Sequence, residues 1–123
     1  MDELLALIIE DEYDISIILA KALRAAGFET EIVRSGDTAL AWLSYNKPDL
    51  VVLDLHLPKV SGKEILNCIR SDVRFSDVKV IVVTAYSDLA ESLRGEADRT
   101  LIKPISFGQL RDLAANFGGP DKS

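Results

Sequence analysis

Cysteine, histidine and long apolar runs are almost missing from this chain. The single cysteine, Cys68, excludes an internal disulfide and suits a reducing compartment. The single histidine, His56, has no second His or Cys at ligand spacing, which argues against an imidazole or thiolate metal centre. No apolar run is long enough to span a membrane. The first residues carry neither a basic n-region nor a small-residue cleavage site, so the expectation is a cytoplasmic protein without membrane contact. Basic residues are outnumbered, 14 Lys and Arg against 20 Asp and Glu. The net charge of −6 argues against direct nucleic-acid binding, which needs a basic face. Internal repeats, low-complexity stretches, interior linkers, a P-loop and a dinucleotide fingerprint are all absent.

What is present is one domain's worth of alternating patterns. The chain has 123 residues, 48% of them hydrophobic, enough for a core without staples. Residues 1–117 read as one domain, and 118–123 (GGPDKS) read as a flexible tail. Leu4–Ile9, Asp49–Asp54 and Val78–Thr84 are continuous apolar runs, as expected of strands buried on both faces. Phe28–Val33 alternates and should be a less buried strand, and Thr100–Ile102 a brief one.

Between them lie helical faces. Ile15, Ile18, Leu19, Ala22, Leu23 and Ala26 recur at helical spacing, with Gly27 past the end. Ala39, Leu40 and Leu43 share a face in a segment that Gly36 opens and Pro48 breaks, and Ile65, Leu66 and Ile69 share another. A short helix capped by Ser87 or Asp88 should end near Gly95, and Ser106 should cap the last. Trp42 and Tyr45 read as packing and surface residues, and Cys68 as a structural thiol. The sum is an α/β fold, a doubly wound five-stranded parallel sheet of order 2-1-3-4-5, flavodoxin-like. Ligands of such sheets sit beyond the carboxyl ends of the strands, where the strand order reverses.

Those strand ends are polar. The first delivers Glu10 and Asp11, the third Asp54, the fourth Thr84 and the fifth Lys103. Three carboxylates in one crevice repel one another and call for a hard divalent cation with oxygen ligands. Such an ion can neutralise an incoming phosphoryl group, a carboxylate beside it can attack phosphorus, and a Lys and a Thr hydroxyl can hold the remaining oxygens.

The segments IIEDE, VVLDLHLPKVSG, VVTA and LIKP, in that order, carry a resemblance to the response-regulator receiver domains of two-component signalling, chemotaxis regulators among them. The resemblance runs from about Leu4 to Phe117. It implies that Asp54 is the phosphoacceptor, that Asp11, Asp54 and the His56 backbone carbonyl ligate Mg²⁺ (or Mn²⁺), and that Glu10 acts through a metal-bound water. Thr84 and Lys103 would contact the phosphoryl oxygens, and the Lys103–Pro104 peptide is often cis. A sensor histidine kinase or phosphotransfer protein would be the donor, and an output partner or attached domain the recipient of the signal. The protein would be a switch that catalyses only its own phosphorylation and dephosphorylation, not an enzyme acting on other substrates.

The chain departs from that family in two places. The aromatic residue usual three positions before the lysine is Thr100, with Tyr86 the nearest substitute. The segment between Thr84 and Lys103 is about one helical turn short, which should shorten the fourth helix. These departures leave room for a binding module of the same fold that is not phosphorylated. A haloacid-dehalogenase-like phosphohydrolase would need a second Asp where His56 stands, and a flavodoxin a glycine- and hydroxyl-rich loop where EDEYD stands.

Overall fold

The computed structural model describes residues 3–117; the expected tail from Gly118 lies outside them. Five parallel strands, β1 (Leu4–Ile9), β2 (Phe28–Val33), β3 (Leu50–Asp54), β4 (Lys79–Thr84) and β5 (Arg99–Ile102), form one sheet in the order β2-β1-β3-β4-β5. They alternate with α1 (Tyr13–Ala25), α2 (Gly36–Tyr45), α3 (Gly62–Ser71), α4 (Ser87–Ser92) and α5 (Phe107–Ala115). A 3-10 turn at Val73–Phe75 precedes β4. Among the described residues no helix is long and apolar enough to cross a membrane.

The continuous apolar runs are central strands because side chains of both parities find a hydrophobic partner. Leu7, Ile9, Val51, Leu53, Val80 and Val82 face one core with α2 and α3. Ala6, Ile8, Leu50, Val52, Ile81 and Val83 face the other with α1 and α5. Each fully buried Val, Leu or Ile side chain here contributes about 1.5–3 kcal/mol. The alternating β2 lies at the edge, with Glu29 and Glu31 exposed. On α1 the stripe is narrower than the spacing implies, since Ile18 is exposed. Cys68 is exposed too, lying outside the Ile65, Leu66 and Ile69 stripe of α3, so it is no part of the interior.

Several boundaries shift for local reasons. Asp49 stays outside β3, using its carboxylate to accept the Leu5 N–H at 2.8 Å. Val78 stays outside β4 because its N–H closes the 3-10 turn on Phe75. The fourth helix is short, as expected, with 6 residues. Its cap, however, is Tyr86 rather than Ser87 or Asp88. The Tyr86 N–H is taken by the Thr84 hydroxyl at 3.1 Å, and the Tyr86 carbonyl accepts the first helical bond from Ala90. Ser106 caps α5 by accepting from the Gln109 N–H at 3.0 Å, as expected.

Candidate functional site

The parallel ladders bring all the strand ends to one edge of the sheet. Ile9 pairs across to Leu53, and Asp54 to Val83. The ladder continues past β1, where the Glu10 N–H reaches the Val33 carbonyl, and past β5, where the Lys103 N–H reaches the Thr84 carbonyl at 2.8 Å. Glu10, Asp54 and Thr84 are thereby held at backbone positions that bury them, with at most 2% of each exposed. One carboxylate oxygen from each of Glu10, Asp11 and Asp54 lies within 4.8 Å of the others. Lys103 faces them from the far side, its Nζ 3.5 Å from Glu10 Oε1 and 3.6 Å from Asp54 Oδ2. The Lys103–Pro104 peptide is cis.

The acids outnumber the lysine. Asp54 Oδ1 accepts the His56 N–H at 3.0 Å and Glu10 Oε2 the Glu12 N–H at 3.2 Å. Glu10 Oε1 is buried and accepts no hydrogen bond. An orphaned buried oxygen among three clustered carboxylates is the donor set a hard divalent cation takes, so the residues present fit Mg²⁺ or Mn²⁺. Burial first, and the Asp54 charge second, push the Glu10 carboxyl up from 4.5 to about 7. The folded state therefore holds a proton that the unfolded state has lost between those two values. Without a divalent cation, stability should fall as pH rises from about 4.5 and level off above about 7, by a total of about 3 kcal/mol. Glu10→Gln should flatten that profile. Urea melts in EDTA at pH 5 and pH 8 measure it, and a protein equally stable at both would contradict the assignment.

His56 stands at the mouth, exposed, in the loop that follows Asp54. Its imidazole does not join the acids. Nε2 lies 3.4 Å from Thr84 Oγ1, and the ring meets Tyr86 edge-on at a centroid separation of 5.0 Å. Tyr86 is 60% exposed and does not occupy the interior place of the missing aromatic. Behind the acids the structure adds a support that sequence patterns did not reveal. Arg34 donates to the buried Ser16 hydroxyl at 2.7 Å and lies over the Tyr13 ring, which fixes the start of α1 against the end of β2. The one local signal was a polar Ser16 on an otherwise apolar stripe.

Gly62 also proves to be more than a turn residue. A β-carbon there would lie 2.5 Å from the Asp54 carbonyl oxygen and 2.6 Å from Leu55 Cα, so only glycine lets α3 start against the acid-bearing strand. Ser61 and Glu64 close a reciprocal capping box around that start.

Comparison with known proteins agrees with this geometry. The family model for the response regulator receiver domain matches residues 6–115. The chain is 33% identical over 114 residues to sporulation initiation phosphotransferase F of Bacillus subtilis, covering 90% of each. It is 36% identical over 106 residues to the phosphate regulon transcriptional regulatory protein PhoB of Rhizobium meliloti, covering 84% of this chain and 47% of that one. The chain thus spans about half the length of that relative. Among solved structures, a CheY-like receiver domain from Methylobacillus flagellatus superposes with a TM-score of 0.84 at 27% identity, over 95% of this chain and 100% of the other. With its strand order, its strand-end acids and these relatives, the chain belongs to the receiver-domain family of response regulators, the signalling switches of two-component systems.

Proposed function

We propose that Asp54 accepts a phosphoryl group from a phosphohistidine on a sensor histidine kinase or phosphotransfer protein. The observation that carries this reading is the placement of the Asp54 carboxylate. It is nearly fully buried at a strand end, beside two further acids and 3.6 Å from the Lys103 ammonium. A lone carboxylate there would be costly, and the single hydrogen bond it accepts from the His56 N–H could be made by a neutral Asn. A carboxylate oxygen of Asp54 attacks phosphorus, the P–N bond of the donor breaks, and its electron pair returns to the imidazole nitrogen. Lys103 and the Thr84 hydroxyl turn to the transferred phosphoryl oxygens, since charge-assisted hydrogen bonds outcompete neutral ones. Asp11, Asp54 and the His56 carbonyl would hold a divalent ion, with Glu10 acting through water, and that ion would supply the positive charge an anion needs to approach these acids. Hydrolysis of the acyl phosphate by water returns the carboxylate, and no other substrate is turned over.

The test uses phosphoramidate as donor and the intact chain. With Mg²⁺ or Mn²⁺ the protein should gain one phosphoryl mass, mapped by peptide analysis to Asp54. Excess EDTA should abolish labelling, and Asp11→Asn should weaken its metal dependence sharply. A protein that takes no label under any of these conditions is a phosphorylation-independent module of the same fold.

The recipient of the signal is a partner or an attached domain. The Rhizobium relative is by name a transcriptional regulatory protein, so absence of nucleic-acid contact is not part of this reading for a longer protein.

Two consequences concern the mouth and the output. His56 and Tyr86 flank the place where hydrolytic water must approach. Changing both to Ala should shorten the half-life of the phosphorylated protein severalfold, and an unchanged dephosphorylation rate would contradict that role. Thr100 is too small to transmit a packing change, and α4 has too few residues to be stable alone. Phosphorylation should therefore change the mobility of Tyr86–Gly95 more than its shape. Hydrogen exchange with and without beryllofluoride reads this directly. Identical protection there, with changes on another face, would place the output elsewhere.

A further inference from the structure

The loop that carries His56 and leads to α3 has little to hold it. Its first residue is tied to β3 by the His56 N–H donating to Asp54 Oδ1 at 3.0 Å. Beyond that, among the described residues no backbone–backbone hydrogen bond ties residues 57–60 to another element, and the loop is closed at its base by Gly62 N–H donating to the Leu55 carbonyl at 3.3 Å. What it does have is a seat. A β-carbon on Gly36, the first residue of α2, would lie inside contact distance of the Val60 carbonyl oxygen and 2.6 Å from Val60 Cβ. These are atoms at or next to the backbone, which cannot swing aside as the tip of a long side chain can. Gly36 is buried and carries no left-handed φ, so the glycine is needed for space, not for its conformational freedom.

A second observation points the same way. Lys59, just before Val60, has φ of 70°, a left-handed conformation that strains a non-glycine residue. Its ammonium lies 3.6 Å from the Asp37 carboxylate on the same end of α2. Both groups are well exposed, so that pair offsets little of the strain. The strained turn delivers Val60 onto Gly36, and Val60 with Leu57 then packs against the core beneath.

We infer that Gly36 is a positioning residue for the phosphoacceptor site: the start of α2 is the step against which the β3–α3 loop is seated, and its lack of a side chain sets how close that loop lies to Asp54. The inference rests on the function proposed above. A bulkier residue at 36 pushes Val60 outward, and the His56 backbone moves with it, because only three residues separate the two. Displacing the support of a metal ligand weakens affinity by about tenfold or more.

The experiment compares Gly36→Ala and Val60→Gly with Leu43→Ala, a core change at the opposite end of the same helix. Mn²⁺ affinity, thermal stability and phosphoramidate labelling at saturating Mn²⁺ are measured on each. Gly36→Ala and Val60→Gly should weaken Mn²⁺ binding by about tenfold and slow labelling at saturating metal, whereas Leu43→Ala should lower the melting temperature and leave Mn²⁺ affinity within twofold of wild type. Should Gly36→Ala fail to fold, Val60→Gly decides, since it loosens the seat without a clash. Wild-type Mn²⁺ affinity in either folded loop variant, or an equal loss in Leu43→Ala, overturns the inference alone. A wild-type protein that neither binds Mn²⁺ nor takes label overturns the acceptor reading and this one with it.

Discussion

Asp54→Asn should leave a folded protein that takes no label and, in EDTA at pH 8, unfolds at a higher temperature than wild type. The two effects have one origin. Asp54 is a buried carboxylate whose charge helps hold the Glu10 carboxyl near 7, so each ionised group opposes the other. Asn keeps the amide-oxygen acceptor for the His56 N–H, now bonded at 3.0 Å, and has nearly the same volume. It loses the attraction of Lys103, which is 3.6 Å from Asp54 but also 3.5 Å from Glu10, so the ammonium retains a partner. Relief of like-charge repulsion and of carboxylate burial should outweigh that loss by about 1–2 kcal/mol. The amide is no nucleophile, so transfer to this position ends entirely. Mg²⁺ should raise the melting temperature of wild type more than that of the variant, because the variant lacks one anionic ligand. Intact-mass analysis and thermal melts in EDTA and in Mg²⁺ measure all three results. Persistent labelling would move the acceptor elsewhere, and a lower melting temperature in EDTA would mean that the Lys103 contact outweighs the repulsion.

How much of this was legible in the sequence follows from the range of the interactions. The central strands were readable because Ile8, Val52 and Ile81 are buried on one face and Ile9, Leu53 and Val82 on the other, which leaves continuous apolar runs. Glu10, Asp54, Thr84 and Lys103 were readable because each interrupts or follows such a run. The start of α4 lies one residue earlier than Ser87 and Asp88 suggest, because their side chains have the chemistry of caps but the cap position falls on Tyr86, which has no capping side chain and whose N–H is held by the Thr84 hydroxyl two residues back. Cys68 reads as a structural thiol on its residue type, while its place on the helix, outside the Ile65, Leu66 and Ile69 stripe, leaves it exposed. The Ser61–Glu64 box is a local pattern and could have been read as a helix start. The seat of Val60 on Gly36 and the bonds of Arg70 leave no local trace, because their partners lie on other elements.

A large loss of stability is expected on removing the partly buried Arg70 guanidinium. Arg70 sits in the last turn of α3, and its guanidinium reaches three acceptors. Nε donates to the Glu96 carbonyl at 2.7 Å, one terminal nitrogen to the Val78 carbonyl at 2.9 Å, and the other to Asp98 Oδ2 at 2.8 Å. Asp98 Oδ2 also accepts the Val80 N–H at 2.7 Å, so the carboxylate joins the start of β4 to the approach to β5. Both side chains are 27% exposed, well short of the free solvation that makes most surface pairs nearly neutral. Arg70→Met keeps the stem and removes every donor, leaving two carbonyls and a carboxylate only partly reached by water. The loss should be about 3 kcal/mol, or on the order of 10 °C in melting temperature for a domain of this size. Arg70→Lys should recover less than half, because an ammonium cannot serve three acceptors at fixed angles. Asp98→Asn should cost less than Arg70→Met, since the amide oxygen still accepts from Val80. The effect should also be local: with α4 so short, residues 94–98 have no long helix to anchor them, and their amides should exchange faster in Arg70→Met than those of β1 or β3. An Arg70→Met protein melting within 2 °C of wild type, by the same scale of about 3 °C per kcal/mol, would show that this forked contact contributes almost nothing.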